Sequence, residues 1–385
     1  WIGAETHRGG IGDAQHYQNI ILGGVNKNDR EVTNEVTYLV LDIVEELRIS
    51  DFPIAVRINQ NTPQKLLKRI AEVQRLGGGI VAVYNEELII DSLVEFGYPL
   101  KEAMCFANDG CWEIQIPAKT NFSYLPFDVL QILQTTIGLK GNKKIPDYNS
   151  FHELYDNFKT NLKNKIDDIH KTIDNSINYH PAVLVSLFEK DCIKKAKGYY
   201  DFGCRYNVQS PHAGGIPDTA NNLLVFKKIV FEEKQISFKE MIKCLQNNWE
   251  GYENLRQQVV NEIKFYGNDN QEADEIVKQI YDDFVEFTRR TKKRKGILRP
   301  PGISTFGRQI GWKQNRKASA DGHLEGDALA NNFSPTPGTD ENGPTSVIKS
   351  HCKMNLKKLT NGTALDLKID PSAVEGKKGI KVLTG

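Results

Sequence analysis

The strongest constraint on the fold is an alternation of short apolar runs and amphipathic stretches over residues 17–106. Apolar residues recur every three or four positions through 33–47, which predicts a helix with one buried face. Short apolar runs at 17–22, 52–59 and 80–84 predict strands between such helices. Strands that alternate with helices are typical of a sheet covered by helices, so the sequence predicts an α/β fold.

Two features bound the helix that follows the second predicted strand. Thr62 is placed to cap its N-terminus, and Pro63 suits its first turn. The triple glycine at 77–79 ends it. A phosphate-binding loop leads from a strand into a helix, whereas this glycine run leads from a helix into a strand. It is therefore interpreted as a helix stop.

The chain beyond this region is mainly helical in pattern. Further helices are predicted at 86–96, 100–106, 126–139, 151–175, 181–188, 191–197, 216–231, 238–247, 252–262 and 274–290. Residues 296–385 are richer in proline and glycine, and the stretches 319–322 and 343–345 are predicted to be turns.

Charge and composition argue against two classes of partner. Among 385 residues, 50 Lys and Arg balance 49 Asp and Glu, so the net charge of +1 favours neither nucleic acid nor a membrane surface. The basic run at 289–295 closes an acidic helix and is interpreted as a solvated helix end. No apolar run approaches the roughly 20 residues of a spanning helix. No signal peptide is visible, so the predicted location is the cytoplasm.

The cysteines and histidines predict neither disulfides nor a metal site. The six cysteines, at 105, 111, 192, 204, 244 and 352, are scattered and include no C-x-x-C pair. This usage fits a reducing cytosol. The histidines at 180, 212, 323 and 351 do not cluster with carboxylates or cysteines at ligand spacing.

The stretch Asn108-Asp109-Gly110-Cys111-Trp112-Glu113 is the candidate for chemistry. In extended backbone, side chains two residues apart lie on the same side, which places the sulfur of Cys111 beside the carboxylate of Glu113. A carboxylate disfavours a thiolate, and hence an ordinary nucleophilic cysteine. A neutral sulfur radical meets no such objection, and the carboxylate is then available to transfer protons. Taken alone the pair is weak evidence, because most free cysteines are small buried hydrophobes.

Other motifs surround this pair in a fixed order: Ile20-Ile21-Leu22-Gly23-Gly24, Ala55-Val56-Arg57, Asn61-Thr62-Pro63, Tyr266-Gly267-Asn268-Asp269, Ser319-Ala320-Asp321-Gly322 and Gly343-Pro344-Thr345-Ser346-Val347. From about residue 12 to the end, the set resembles the glycyl radical enzymes, the pyruvate formate-lyase and glycerol dehydratase-like family. The resemblance implies a ten-stranded α/β barrel of two five-stranded halves. One loop carries a catalytic cysteine into its centre, and a second, near the C-terminus, carries the radical glycine.

Within that family, Cys111 resembles the thiyl radical residue and Glu113 its proton-transfer partner. Cys-x-Glu is the arrangement of the dehydratase, lyase and decarboxylase branches. Gly110 before Cys111 argues against the two adjacent cysteines of the formate acetyltransferase branch. The sequence departs from the family's Gly-Cys-Val-Glu-Pro at Trp112 and Ile114, which alters the seating of the loop or the pocket wall.

The predicted substrate contacts are His16, Tyr17, Phe122 and Tyr124. Diol-dehydrating members carry an aspartate fourteen residues after the cysteine, where this sequence has Leu125. The nearby Phe122 and Tyr124 suit a larger or less polar substrate, or a cation over a ring face. His16 and Tyr17 are predicted to reach the pocket from the first strand. The alternative is that His16 lies on the surface and Tyr17 in the core, and that neither contacts a substrate.

The family's radical glycine lies in an Arg-Val-x-Gly-Tyr motif, which this sequence does not contain. The expected domain organisation is residues 1–385 as the C-terminal portion of the pyruvate formate-lyase-like domain. The N-terminal half-barrel and the C-terminal glycine radical domain are expected to lie outside this chain. The chain would then be a fragment or one subunit of a split enzyme, and inactive alone.

The resemblance also implies partners. A separate activating enzyme that uses S-adenosylmethionine and a 4Fe-4S cluster would install the glycyl radical, with no cofactor bound by this chain. The other expected partners are a small-molecule substrate and a second copy in a homodimer.

The predicted reaction is hydrogen abstraction from a small organic substrate, followed by elimination or C–X cleavage. The alternatives within the class are arylacetate decarboxylation and formate C-acetyltransferase-like acyl transfer. A non-catalytic subunit that scaffolds an assembly is the alternative of another class, and intact Cys111 and Glu113 argue against it. A cysteine hydrolase needs a histidine near Cys111, and no spacing points to one.

Overall fold

The computed structural model describes residues 19–48, 54–77, 81–109, 112–140, 145–176, 182–290, 296–305 and 307–384, without the side chains of residues 109, 122 and 173–176. The chain divides into two units. The first contains residues 1–118, 360–362 and 368–385, and the second contains residues 119–359 and 363–367.

A three-stranded parallel sheet forms the centre of the first unit. Its strands are β1 (Ile20–Gly23), β2 (Ile54–Ile58) and β3 (Ala82–Asn85), with β2 in the middle. The helices Glu35–Leu47 and Gln64–Gln74 connect β1 to β2 and β2 to β3. Parallel neighbours need such crossover connections. The predicted alternation of strands and helices is therefore confirmed here.

The core of this unit joins the inner faces of the helices to the sheet. Its buried side chains are all aliphatic: Leu22, Leu41, Ile54, Val56, Leu66, Ile70, Val73 and Val81. Full burial of one such side chain is worth roughly 1.5–3 kcal/mol. The apolar spacing in the sequence therefore decides which helix faces meet the sheet.

The helix Gln64–Gln74 begins later than predicted. Its N-cap is Pro63, so the predicted cap at Thr62 is wrong. The Thr62 hydroxyl instead accepts a hydrogen bond from the Asn59 N–H at 2.9 Å. Thr62 closes the turn before the helix, and sequence spacing alone does not separate these two roles.

A buried ion pair joins the sheet to the next helix. Arg57 of β2 pairs with Glu86, the first residue of the helix Glu86–Phe96, and their side chains are 7% and 1% exposed. The Glu86 carboxylate also accepts the Val25 N–H at 2.9 Å. Gly24 leaves room for the pair, because a Cβ there would lie 2.5 Å from Glu86 Oε1. Its φ of +78° also favours glycine.

Short elements complete the first unit. The helix Leu100–Ala103, shorter than predicted, leads into an antiparallel hairpin of β4 (Ala107–Asp109) and β5 (Glu113–Gln115). Near the C-terminus are a 3-10 turn at Pro371–Val374 and the helix Gly376–Thr384.

Two long parallel strands form the centre of the second unit. They are β6 (Thr120–Asp128) and β7 (Tyr206–Gly214), and they pair along all nine of their residues. The short strands β8 (Ile297–Leu298) and β9 (Gly302–Ile303) also pair with β7 in parallel.

Neither long strand was predicted from the sequence. The helix predicted at 126–139 is wrong at its start, because β6 continues to Asp128 and the helix is Val129–Thr136. Asp128 caps that helix by accepting the Gln131 N–H at 3.3 Å. In β7, neighbouring residues are buried on both faces of the strand, so no polar and apolar alternation marks it.

The rest of the second unit is mainly helical. Its helices are Phe151–Ser176, Val183–Ser186, Lys190–Lys195, Ile216–Val225, Phe238–Gln246, Glu253–Glu262, Gln271–Arg290, Arg308–Lys313 and Pro344–Cys352. Turns of π type occur at Tyr199–Gly203 and Phe226–Glu232, and one of 3-10 type at Leu356–Lys358. No helix in the described part of the chain is both long and apolar enough to cross a membrane.

The turn predicted at 319–322 is confirmed, since the Gly322 N–H donates to the Ser319 carbonyl at 3.1 Å. Nδ1 of His323 lies 3.2 Å from Asp321 Oδ1, a contact with a carboxylate that the sequence spacing did not predict. Burial lowers the pKa of His323, but the Asp321 carboxylate outweighs it and raises the pKa to about 9.

We expect Arg57→Met to lower the free energy of unfolding by about 3–5 kcal/mol, because it leaves the Glu86 carboxylate buried without its partner. The control is Lys68→Met, whose ion pair with Glu72 is exposed and worth about 0–1 kcal/mol. Urea unfolding followed by circular dichroism measures both. Equal, small losses in the two variants would show that the buried pair is not needed for stability.

We expect the stabilisation from His323 to depend on pH. Its pKa is about 9 in the folded state, against about 6.5 in the unfolded state, so the folded protein binds the proton more tightly. The stabilisation is fully present below about pH 6.5 and is lost as the pH rises through about 9. The measurement is the urea-unfolding difference between the native protein and His323→Gln across this range. His152→Gln, at an exposed position, is the control. A difference independent of pH would contradict the assignment.

Candidate active site

The β4–β5 hairpin carries the residues predicted to do chemistry. Asp109 and Glu113 are its last paired residues, so Gly110, Cys111 and Trp112 connect the two strands. Gly110 and Cys111 lie outside the described residues, and the predicted orientation of Cys111 stays a prediction. Glu113, the first residue of β5, is described and is 4% exposed.

The carboxylate of Glu113 is largely withdrawn from water. Its Oε2 accepts the Trp112 N–H at 3.1 Å, which provides a hydrogen bond to a buried acceptor. Placed directly after the turn of the hairpin, this side chain is suited to exchange a proton with a molecule bound there.

Arg57 positions the segment that leads into the hairpin. Its Nη2 donates to the Met104 carbonyl at 2.7 Å and its Nη1 to the Phe106 carbonyl at 3.3 Å. The guanidinium carbon lies 4.1 Å from the centroid of the Phe106 ring. The ion pair with Glu86 therefore also orients the backbone just before β4, which leads to Cys111.

In the second unit, Tyr124 lies on the face of β6 away from the helical core. Phe127 belongs to that core and Leu125 packs against it. Because side chains alternate along a strand, Tyr124 is on the opposite face. The centroid of its ring is 5.1 Å from that of His212 in β7. The two rings pack against each other on that face of the sheet.

The close approach of β9 to β7 fixes the position of the His212 side chain. The side chain of His212 is fully buried, and a Cβ at Gly302 would lie 2.4 Å from its Nε2. Only glycine leaves space for the ring at this point. Two residues earlier on the same face, the Ser210 hydroxyl donates to the Pro300 carbonyl at 2.6 Å. These contacts fix the polar side chains of β7.

The other predicted substrate contacts are less fully described. His16 and Tyr17 lie outside the described residues. Phe122 pairs in register with Val208, but its side chain is also outside the described part. Of the four residues, only Tyr124 has a described side-chain environment. Contact with a substrate stays a prediction for all four.

Two residues near these positions were not predicted. His212 was missed because the strand that carries it was missed. Arg57 appeared only as part of a family motif, although a charged residue inside an apolar strand is an available signal of a buried ion pair. Within the described ranges, no group of three or more His, Cys, Asp or Glu residues is arranged to hold a metal ion.

Two family models match the chain. The pyruvate formate lyase-like model matches residues 4–312, and the glycine radical model matches residues 329–385. The second match corrects the expectation that the glycine radical domain lies outside this chain. The sequence lacks the Arg-Val-x-Gly-Tyr motif, but its last 57 residues match that domain.

Curated relatives agree with these matches. Trans-4-hydroxy-L-proline dehydratase of Clostridioides difficile is 34% identical over 94% of this chain and 48% of its own length. (2S)-3-sulfopropanediol dehydratase of Klebsiella oxytoca is 28% identical over 94% of this chain and 46% of its own length. The chain thus spans about half the length of the curated relatives it matches.

Solved structures confirm the predicted fold class. The crystal structure of hydroxyproline dehydratase from Clostridioides difficile, with trans-4-hydroxy-L-proline bound, matches with a TM-score of 0.89. The match has 32% identity and covers 96% of this chain and 48% of that one. The expectation that this chain forms part of an α/β barrel of that type is confirmed. The chain belongs to the pyruvate formate lyase-like family of glycyl radical enzymes.

Proposed function

We propose that the gene product containing this chain is a glycyl radical lyase of the dehydratase type. The observation that carries the proposal is the buried carboxylate of Glu113, two residues after Cys111 and at the start of β5. The dehydratases among the relatives support the same reaction class. Turnover also requires the radical-bearing glycine, whose Arg-Val-x-Gly-Tyr motif this sequence does not contain.

In the proposed reaction, a radical transferred from that glycine leaves Cys111 as a thiyl radical. The sulfur takes a hydrogen atom from a substrate C–H bond, which forms S–H and a carbon radical. Glu113 accepts a proton from a hydroxyl or ammonium group on the same carbon. The resulting electron-rich radical expels hydroxide from the neighbouring carbon, and Glu113 returns its proton to that hydroxide, so water leaves and the carboxylate is restored. The product radical then takes the hydrogen atom back from the Cys111 S–H, so the cysteine is restored.

The proposed substrate is larger or less polar than a small diol. Tyr124 offers an aromatic ring, packed against His212, on the face of β6 away from the helical core. Aromatic faces suit a ring or an ammonium group better than a second hydroxyl. The relative that is 34% identical acts on trans-4-hydroxy-L-proline, which has both features. We propose a hydroxylated cyclic amine, or a compound similar to it, as the substrate.

The proposed partners are the substrate and an activating enzyme. The latter would use S-adenosylmethionine and a 4Fe-4S cluster to install the glycyl radical. The matched glycine radical model supports dependence on such an enzyme. We also propose a cytoplasmic location and assembly as a homodimer. No cofactor beyond the radical is proposed for this chain.

We expect Cys111→Ser in the whole gene product to keep the glycyl radical signal and to abolish turnover. Serine cannot form a comparably stable radical, whereas the radical glycine is unchanged. The measurements are electron paramagnetic resonance after anaerobic activation and product analysis with trans-4-hydroxy-L-proline and with glycerol. Cys105→Ser, at an exposed position six residues earlier, is the matched control and should remain active. Turnover by Cys111→Ser would refute the site assignment. A gene product that forms no radical would instead favour the scaffold hypothesis.

We expect Glu113→Gln to lower kcat by about 10²–10⁴-fold, the usual contribution of a positioned general acid or base. The glycyl radical signal should remain at its native intensity, because the amide does not affect radical installation. Glu87→Gln, at an exposed carboxylate, is the control and should leave kcat unchanged. A kcat for Glu113→Gln within about twofold of the native value would exclude Glu113 from proton transfer.

A further inference from the structure

We propose that Asn361 and Gly362 are positioning residues that hold the second strand of the β4–β5 hairpin, and with it Glu113, in the geometry that turnover needs. The proposal rests on the proposed function. It gives a role to residues that match the glycine radical model yet pack within the first unit.

The first contact is a side-chain hydrogen bond to the backbone of β5. Nδ2 of Asn361 donates to the Ile114 carbonyl at 3.3 Å, and the Asn361 side chain is fully buried. Ile114 directly follows Glu113 in the chain. An amide held in this way fixes the peptide group next to the proposed proton-transfer residue.

The second contact is a close backbone approach at the turn of the hairpin. A Cβ at position 362 would lie only 2.6 Å from the Trp112 carbonyl oxygen. Gly362 also has φ of +88°, which side chains disfavour. Trp112 lies between Cys111 and Glu113. Glycine at position 362 therefore allows residues 361–362 to pack directly against Trp112, between the proposed radical residue Cys111 and the proposed proton-transfer residue Glu113.

A third contact ties the same segment to the helix Glu86–Phe96 of the first unit. The Thr360 hydroxyl lies 3.2 Å from that of Ser92, and both residues are buried. Ser92 is in the helix Glu86–Phe96, whose first residue pairs with Arg57. The segment 360–362 is thus anchored on a rigid element and contacts the hairpin on either side of Glu113.

This arrangement differs from ordinary core packing, since both hairpin contacts are to backbone carbonyls beside Glu113. Displacement of a reacting group by 1 Å can lower a rate by about 100-fold. Loss of either contact should therefore reduce kcat much more than it weakens substrate binding. A purely structural role would change stability and leave the kinetics of the folded protein unaltered.

The test compares two pairs of variants in the activated whole gene product. Asn361→Asp removes the hydrogen-bond donor to Ile114 at nearly constant size. Its control is Asn268→Asp in the second unit, which removes a buried amide donor to the Phe265 and Thr339 carbonyls. Gly362→Ala adds a methyl group against Trp112. Its control is Gly77→Ala, which adds a methyl group at a similar φ of +86° where no other atom lies within 4 Å.

For both Asn361→Asp and Gly362→Ala we expect kcat per glycyl radical to fall by about 10–100-fold. KM should change by less than about threefold, and the solvent deuterium isotope effect on kcat should rise as proton transfer to Glu113 becomes slower. The two control variants should keep the native kcat per radical, even if their melting temperatures fall.

The proposal is refuted if kcat per radical is native in either hairpin variant, or if the controls lose kcat equally. Normalising to the radical signal also covers partial misfolding, because molecules that do not fold carry no radical. Failure of the proposed function would appear differently, as an absence of turnover or of Cys111 dependence in the native protein itself.

Discussion

The buried ion pair between Arg57 and Glu86 is the interaction on which the first unit depends. Burial lowers the pKa of Arg57, and the Glu86 carboxylate opposes that change. Neither charge is tolerable in the interior without the other. Glu86 also accepts the Val25 N–H, so the pair joins the end of β1, the strand β2 and the helix Glu86–Phe96.

The guanidinium of Arg57 also positions the β4–β5 hairpin. Its hydrogen bonds to the Met104 and Phe106 carbonyls fix the chain just before β4. The strand after the turn, β5, is contacted by residues 361–362 instead. The two strands of one short hairpin are therefore held by segments about 300 residues apart in the chain. A short hairpin has little stability of its own, so its geometry has to come from such contacts.

Sequence reasoning succeeded where a local pattern has one structural solution. The apolar spacing of 33–47 and 151–175 leads to helices whose observed bounds differ from it by at most two residues. The strands β6 and β7 were not predicted, and in β7 both faces of the strand are covered, so the alternation disappears. Because β7 was missed, His212 was missed with it. The glycine radical assignment of 329–385 was also missed, because that prediction depended only on the short motif around the radical glycine.

The sequence by itself determined the family and the α/β class and identified Cys111 and Glu113 as the candidate pair, because these depend on residue identities in a fixed order and spacing. The tertiary structure decided the burial of Glu113, the pairing of Arg57 with Glu86 and the packing of Asn361 and Gly362 against the hairpin. These contacts join residues from 29 to about 250 positions apart. Such contacts leave no periodic trace in a single sequence, since only the folded chain brings their partners together.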